Sequence, residues 1–94
     1  MKHYIIVKWN EKVADKRLYY KRACDAFNDV TKIAGVTALK IYQSNSDRAN
    51  RADLMIEIEC TKEGLANYDV SDLHKEWKKN FSEYIGEKTI FDHE

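Results

Sequence analysis

The chain has 94 residues, of which 44% are apolar and 34% are charged. This is the composition of one soluble globular domain, spanning residues 1–94, rather than of a disordered segment. Sixteen basic side chains balance sixteen acidic ones, so no net charge attracts the protein to nucleic acid or to an anionic membrane. We therefore expect no nucleic-acid partner and no membrane partner.

The apolar run at residues 4–7 is too short for a membrane span or for the core of a signal peptide. Cys24 and Cys60 stand alone, without the spacing of a metal or redox motif, and each falls on a periodic apolar face. We expect both thiols to be buried in a reducing compartment, and we expect a cytoplasmic protein.

The first predicted element is a strand over residues 2–9, which are rich in aromatic and β-branched side chains. Because side chains alternate along a strand, one face carries His3, Ile5, Val7 and Trp9. The other carries Tyr4, Ile6 and Lys8. We expect the first face to point to the core.

An amphipathic helix is predicted over residues 13–34, which contain no glycine or proline. Its expected buried stripe, at steps of three and four residues, is Tyr20, Cys24, Phe27, Val30 and Ala34. Gly35 suits the left-handed conformation that often ends a helix, and a second strand is predicted to begin at Val36.

The polar segment 44–52 predicts a turn before a third strand over residues 53–60. Thr61 is a candidate N-cap for a short helix, and Ser71 is a candidate N-cap for another. The second helix has the predicted buried stripe Leu73, Trp77, Phe81 and Tyr84, and Gly86 is predicted to end it. A fourth strand follows over residues 87–94.

This order of elements predicts an α+β fold, a ferredoxin-like four-stranded antiparallel sheet with helices on one face. The other face then needs water or a partner. The side chains expected there mix apolar groups with both signs of charge: Tyr4, Ile6, Lys8, Lys40, Tyr42, Met55, Glu57 and Glu59. Such a face is apolar enough to form a homodimer.

The sequence offers few motifs for cofactor chemistry. The three histidines, His3, His74 and His93, lack metalloenzyme spacing, and the three glycines are too scattered for a phosphate-binding loop. Cys24 is expected to be buried on the helix stripe and therefore inert. We expect no metal and no cofactor.

Tyr68 and His74 are the most informative pair. On one continuous helix, a separation of six residues would point them to nearly opposite sides. Asp69 and Ser71 favour hydrogen bonds to their own backbone, so we expect a break that lets the two side chains converge. An imidazole in the first turn of a helix tends to stay neutral and can accept a proton. The alternative is that His74 caps or packs locally and that Tyr68 is an ordinary aromatic residue at a helix end.

Three segments of the sequence together resemble the stress-responsive dimeric α/β barrel (Dabb) family. They are the start of the chain with Lys2 and His3, residues 67–74 with Tyr68 and His74, and the end, residues 87–94. In the family the third and fourth residues after the tyrosine are commonly His-Pro, which Ser71 and Asp72 replace here. Ser71 is itself a good helix cap.

The resemblance implies a homodimer whose sheets pack face to face into a barrel, with a small cavity between each sheet and its helices. We expect Ile5, Val7, Phe27 and Trp77 to line this cavity. A plant polyketide cyclase of the family closes an aromatic ring by aldol condensation without a cofactor. By that analogy, His74 is the general base, Tyr68 orients it or hydrogen-bonds the developing enolate, and His3 positions the substrate.

Three functions are therefore open. The leading expectation is a dimeric barrel that binds a small, mostly apolar carbonyl or phenolic ligand. The alternatives are a cofactor-free polyketide cyclase or aldol-type lyase, and a haem-binding or monooxygenase-like barrel in which His74 lies beside Trp77. A purely structural dimer would instead have its cavity filled by side chains.

Overall fold

The computed structural model of the protein describes all residues from Met1 to Glu94. It contains four strands, β1 to β4, and three helices, α1 to α3. In chain order these are β1 (Lys2–Trp9), α1 (Lys16–Phe27), β2 (Val36–Gln43), β3 (Leu54–Cys60), α2 (Lys62–Asp69), α3 (Asp72–Phe81) and β4 (Ile85–His93). Short 3-10 turns follow α1 and α3, at Val30–Lys32 and Ser82–Tyr84.

The four strands form one sheet in the order β2-β3-β1-β4, and every neighbouring pair is antiparallel. The two central strands, β1 and β3, are therefore close in space although a long helix and a strand separate them in sequence. This arrangement confirms the predicted ferredoxin-like α+β fold.

Alternation along β1 divides the two faces of the sheet as predicted. His3, Ile5, Val7 and Trp9 are buried on the helix side, while Tyr4, Ile6 and Lys8 are half-buried on the other face. We call this second face, which no helix covers, the open face. The core on the helix side is Ile5, Val7, Trp9, Val13, Ala23, Phe27, Val30, Val36, Leu54, Ile56, Ile58, Cys60, Tyr68, Trp77 and Phe81.

The first helix is shorter than the predicted span of residues 13–34. It begins at Lys16 because the Asp15 side chain accepts a hydrogen bond from the Leu18 N–H, which caps the first turn. It ends at Phe27, where Asn28 and Asp29 follow. These side chains favour local hydrogen bonds over a continued helix, and the chain passes into the 3-10 turn.

The phase of the buried stripe in α1 also differs from the prediction. Ala23 and Phe27 are buried, whereas Cys24 is only half-buried and Ala34 is exposed. The break at Asn28 accounts for Ala34, which lies beyond it, whereas within α1 the helix is oriented so that Ala23 rather than Cys24 faces the core. Cys60 is buried, as expected.

The boundary between α3 and β4 lies earlier than predicted. The helix ends at Phe81, and Gly86 lies inside β4 rather than at the helix end. Asn10 helps to fix this connection, because its side chain donates a hydrogen bond to the Glu83 carbonyl and its N–H donates to the Tyr84 carbonyl. No helix is both long and apolar enough to span a bilayer.

The start of α2 is packed directly against the turn before β2. Gly35 has a φ of 89°, the left-handed conformation predicted for it, and its carbonyl accepts a hydrogen bond from Thr61 N–H. A Cβ on Gly64 would lie 2.2 Å from the Gly35 carbonyl oxygen, so the two backbones meet where only glycine fits. The Asn67 side chain also donates to the Ala34 carbonyl, which fixes the helix that carries Tyr68.

Candidate functional site

The fold brings His3, Tyr68 and His74 together from three different elements. The ring centroid of Tyr68 lies 4.7 Å from that of His74 and 5.9 Å from that of His3. His3 comes from β1, Tyr68 from α2 and His74 from α3. The three rings therefore form one cluster, which we call the His–Tyr–His cluster.

The junction between α2 and α3 places Tyr68 and His74 side by side. Helix α2 ends at Asp69, and Ser71 takes an extended conformation that turns the chain into α3. The Ser71 hydroxyl accepts a hydrogen bond from the His74 N–H at 3.1 Å and donates one to the Tyr68 carbonyl at 2.6 Å. One serine side chain thus caps the new helix and ties it to the previous one, as its predicted role as an N-cap requires.

The hydrogen bonds of His74 determine which of its nitrogens is free. Its Nδ1 lies 2.9 Å from the carbonyl oxygen of Asp69, which can only accept, so Nδ1 carries the hydrogen. In its neutral form the ring then presents Nε2 as an acceptor. His74 lies in the first turn of α3. The residue has the arrangement of a potential general base.

His3 is held in the same way from the other side of the cluster. Its Nδ1 lies 2.5 Å from Oδ1 of Asp92, and a carboxylate oxygen only accepts, so Nδ1 again donates. The residue is buried on the helix side of the sheet, as expected from strand alternation. In both imidazoles of the cluster, Nδ1 forms the hydrogen bond that holds the ring in place. Neither Nε2 has a hydrogen-bond partner within the protein.

Tyr68 is the deepest member of the cluster. Its side chain is 1% exposed, and its hydroxyl has no hydrogen-bond partner in the protein. Burial, assisted by the charge of Asp69, raises the pKa of Tyr68 well above its usual 10.0, so the side chain stays a neutral phenol. It can donate a hydrogen bond but does not act as a base near neutral pH.

The four residues predicted to line a cavity lie in the core beside this cluster. Ile5, Val7, Phe27 and Trp77 are each 2% exposed or less. Phe27 contacts both Trp77 and Tyr68, at ring-centroid distances of 5.0 and 6.3 Å. These side chains pack against one another, and none of them lines any of the four concavities of the chain, which is the filled interior expected of a purely structural dimer.

The concavities lie elsewhere. One, of about 320 Å³, is on the open face between Tyr4, Ile6, Met55, Phe91 and His93. Another, of about 480 Å³, is on the solvent side of α1 and α3 and includes Tyr19, Arg22 and Tyr84. No group of three or more His, Cys, Asp and Glu side chains is arranged to hold a metal ion.

Asp92 is the member of the site that sequence reasoning missed. The signal was present, because a ferredoxin-like sheet pairs its first strand antiparallel with its last. An acidic residue near the end of the last strand therefore falls opposite a residue near the start of the first. In the structure His3 is the register partner of Asp92.

Sequence comparison identifies no relatives: no family model matches the chain, and no curated protein matches it. Comparison with solved structures is informative. A dimeric protein of unknown function with a ferredoxin-like fold, from Bacteroides fragilis, superposes with a TM-score of 0.79 at 16% identity, covering 99% of this chain and 93% of that one. A Dabb family protein from Mesorhizobium loti superposes with a TM-score of 0.74 at 11% identity, covering 99% and 93%.

An enzyme is also among the similar structures. The hydroxynitrile lyase of Passiflora edulis superposes with a TM-score of 0.74 at 14% identity, covering 98% of this chain and 89% of the lyase. At such identities, the similarity concerns the fold. The chain therefore has the ferredoxin-like α+β fold found in Dabb proteins, and the resemblance expected from its sequence is confirmed at the level of the fold.

Proposed function

We propose that the protein is a homodimer that binds a small, mostly apolar carbonyl or phenolic molecule at the His–Tyr–His cluster. The observation that carries this proposal is the hydroxyl of Tyr68, which is buried without a partner. An unsatisfied buried hydroxyl costs on the order of 1–3 kcal/mol, and a binding or catalytic role is one reason for a protein to retain such a cost.

The chemistry of the cluster selects the class of ligand. Because Tyr68 remains a neutral phenol, its hydroxyl would donate a hydrogen bond to a carbonyl oxygen. The free Nε2 atoms of His3 and His74 would accept hydrogen bonds from a phenol or an enol. The surrounding core side chains, such as Phe27 and Trp77, are apolar, which favours a ligand with few polar groups.

A ligand reaches Tyr68 only if a side chain moves, because the core is close-packed. His74 is the least buried of the three rings, and its ring packs against that of Tyr68. We therefore place the entry at the α2–α3 junction.

The open face supports assembly into a homodimer. It contains two of the five exposed large apolar side chains of the protein, Phe91 and Tyr42, at 57% and 42% exposure. Exposed apolar surface of this kind commonly marks an interface. The similar protein from Bacteroides fragilis is dimeric, which is the assembly that we infer for this chain.

A second candidate function is a cofactor-free lyase or cyclase of the aldol type. The observation that favours it is the orientation of His74, whose Nδ1 is held by the Asp69 carbonyl while Nε2 remains an acceptor. In this reaction Nε2 removes the proton next to a substrate carbonyl, and Tyr68 donates a hydrogen bond to the enolate oxygen. The shared fold with a hydroxynitrile lyase is compatible with such chemistry.

A thermal-shift screen tests the binding proposal. The wild type and His74→Ala would be screened against phenolic acids, poly-β-keto acids, haem and flavins, with Lys79→Ala as the control. Lys79 is an exposed residue in the last turn of α3, at the opposite end of that helix from His74. We expect a phenolic or keto compound to stabilise the wild type and Lys79→Ala but not His74→Ala.

The outcomes of this screen are distinct. Equal stabilisation of all three proteins would place the ligand outside the cluster, and no stabilising compound would contradict ligand binding. Turnover of a bound poly-β-keto acid, slowed in Tyr68→Phe, would support the lyase or cyclase. Haem binding with a Soret shift lost in His74→Ala would instead favour the haem-binding barrel.

A further inference from the structure

Consecutive side chains at the end of β4 point to opposite faces of the sheet. Asp92 faces the helix side, where its carboxylate accepts the hydrogen bond from His3. Its two neighbours face the other way: the rings of Phe91 and His93 lie 6.3 and 5.5 Å from that of Tyr4. Tyr4 and His93 also share a hydrogen bond of 3.2 Å.

This stretch of β4 is weakly held in the single chain. β4 is an edge strand that pairs with β1 alone, and all its residues after Ile85 are exposed. The Asp92 side chain is itself 42% exposed, whereas the imidazole that it contacts is 9% exposed. The orientation of the His3 ring therefore depends on the Asp92 carboxylate, which lies on a strand that is itself mostly exposed to solvent.

We propose that the end of β4 couples the two faces of the sheet, with Asp92 as a positioning residue for His3. Asp92 holds the hydrogen on Nδ1, which leaves Nε2 of His3 as an acceptor towards the cluster. The occupant of the open face is a second copy of this chain, and by covering Phe91 and His93 it immobilises Asp92 between them. Dimer formation thus completes the ligand site.

The second copy is the occupant that the surface best accommodates. The concavity beside Phe91 is lined mainly by apolar side chains of β1 and β3, and a flat sheet face of this kind is complementary to another such face. The charged residues on it also balance in sign, since Glu57 lies 3.7 Å from Lys2 and opposite Lys40 in the ladder. A face without net charge is not expected to repel its own copy.

The coupling rests on the proposed function, because it assumes both the dimer and the ligand. Its first step is nevertheless measurable without a ligand. Nitrogen NMR of the His3 imidazole distinguishes the tautomer with hydrogen on Nδ1 from that with hydrogen on Nε2. We expect the Nδ1–H tautomer in the wild type and its loss in Asp92→Ala.

Two variants serve as controls for this measurement. Asp92→Asn keeps a side-chain oxygen acceptor and should retain the tautomer. Lys88→Ala alters an exposed residue on the same face of β4, opposite Val7, and should leave His3 unchanged. An unaltered tautomer in Asp92→Ala, or an equal change in Lys88→Ala, would overturn the role of Asp92.

The second step requires variants that block assembly. Phe91→Glu and Met55→Glu each place a charge in the apolar part of the open face, but only the first is adjacent to Asp92. We expect sedimentation to show both as monomers. We also expect both to lose the His3 tautomer preference and to bind the ligand from the thermal-shift screen roughly fivefold or more weakly.

Each other outcome contradicts a defined part of the proposal. Monomeric variants with an unchanged His3 tautomer would overturn the coupling, and a change in Phe91→Glu alone would mean a local effect rather than an effect of assembly. Variants that remain dimeric would overturn the proposed interface and the coupling with it. If no compound binds while the tautomer follows Asp92 and assembly, ligand binding fails and the coupling itself stands.

Discussion

The imidazole of His74 lies 4.7 Å from the ring of Tyr68, although the two residues belong to different helices. On one helix their spacing of six residues would separate them, because each residue turns the chain by about 100°. Ser71 brings the two residues together. Its hydroxyl donates a hydrogen bond to the Tyr68 carbonyl at the end of α2 and accepts one from the His74 N–H at the start of α3. The contact that defines the site thus depends on a break in helical structure.

Replacing Tyr68 by phenylalanine should stabilise the protein. The hydroxyl has no partner, so its removal eliminates an unsatisfied buried group and raises the free energy of unfolding by about 1 kcal/mol. Urea unfolding measures this difference. Tyr4→Phe is the control, because the Tyr4 hydroxyl has a hydrogen-bond partner, Nε2 of His93 at 3.2 Å, and its loss should not stabilise. A Tyr68→Phe protein less stable than the wild type would show that the hydroxyl is satisfied.

The same residue should make stability sensitive to alkaline pH. Burial raises the pKa of Tyr68 in the folded state above its usual 10.0, so the unfolded chain releases the proton first. The stabilising contribution is complete below that value and is lost as the pH rises towards the folded pKa. Between about pH 8 and pH 11 the wild type should lose more stability than Tyr68→Phe. Parallel urea midpoints for the two proteins would contradict this.

Replacing Ser71 by alanine should affect both stability and the site. The lost N-cap costs about 1 kcal/mol, and the tie to the Tyr68 carbonyl is lost with it. Thr61→Ala removes the comparable cap of α2, which accepts from the Gly64 N–H. We expect similar losses in urea unfolding but weaker ligand binding only in Ser71→Ala. Equal binding in the two variants would separate Ser71 from the site.

Asp53 should be the most important carboxylate for stability. It is 8% exposed, accepts a hydrogen bond from the Trp9 N–H at 2.9 Å and pairs with Lys16 at 2.9 Å. Asp53→Ala leaves that buried N–H unsatisfied and should cost about 2–3 kcal/mol. Glu83→Ala breaks an exposed pair with Lys12 and should cost under about 1 kcal/mol. Chemical unfolding compares them, and equal losses would contradict the ranking.

Gly64 should not tolerate alanine, although alanine normally stabilises a helix by up to about 1 kcal/mol over glycine. An added Cβ would lie 2.2 Å from the Gly35 carbonyl oxygen, and backbone on both sides leaves no flexible group to move. We expect a net loss of about 1–3 kcal/mol in thermal unfolding. At Gly86 the nearest atoms are 3.4 Å away, so Gly86→Ala should be close to neutral. A stable Gly64→Ala would refute the close contact.

The strands and the fold class were predictable because their signals are local. Alternation in β1 identified its buried face, and Gly35 marked the change from helix to strand. The extent of α1 was not predictable from periodicity alone, since Val13 and Val30 are buried in the core without belonging to that helix. Tertiary packing buries these two side chains. Their spacing in the sequence therefore resembles that of a helix, although both residues lie outside α1.

The candidate site was predictable only in part. The convergence of Tyr68 and His74 follows from Asp69 and Ser71, which favour a helix break within the same few residues. The contact between His3 and Asp92 joins residues 89 positions apart, so it depends on the strand order of the whole sheet. The close packing of Phe27 and Trp77 against Tyr68 likewise depends on the relative positions of helices that no local pattern specifies.

The connection between β2 and β3 is held to the sheet by Lys8. Its ammonium group donates hydrogen bonds to the backbone carbonyls of Ala49 and Arg51, at one end of the open face. This polar loop is therefore ordered before any association takes place. In the proposed homodimer, the partner chain would meet a preformed rim, so less conformational entropy would be lost on binding than if the loop had to fold at the interface.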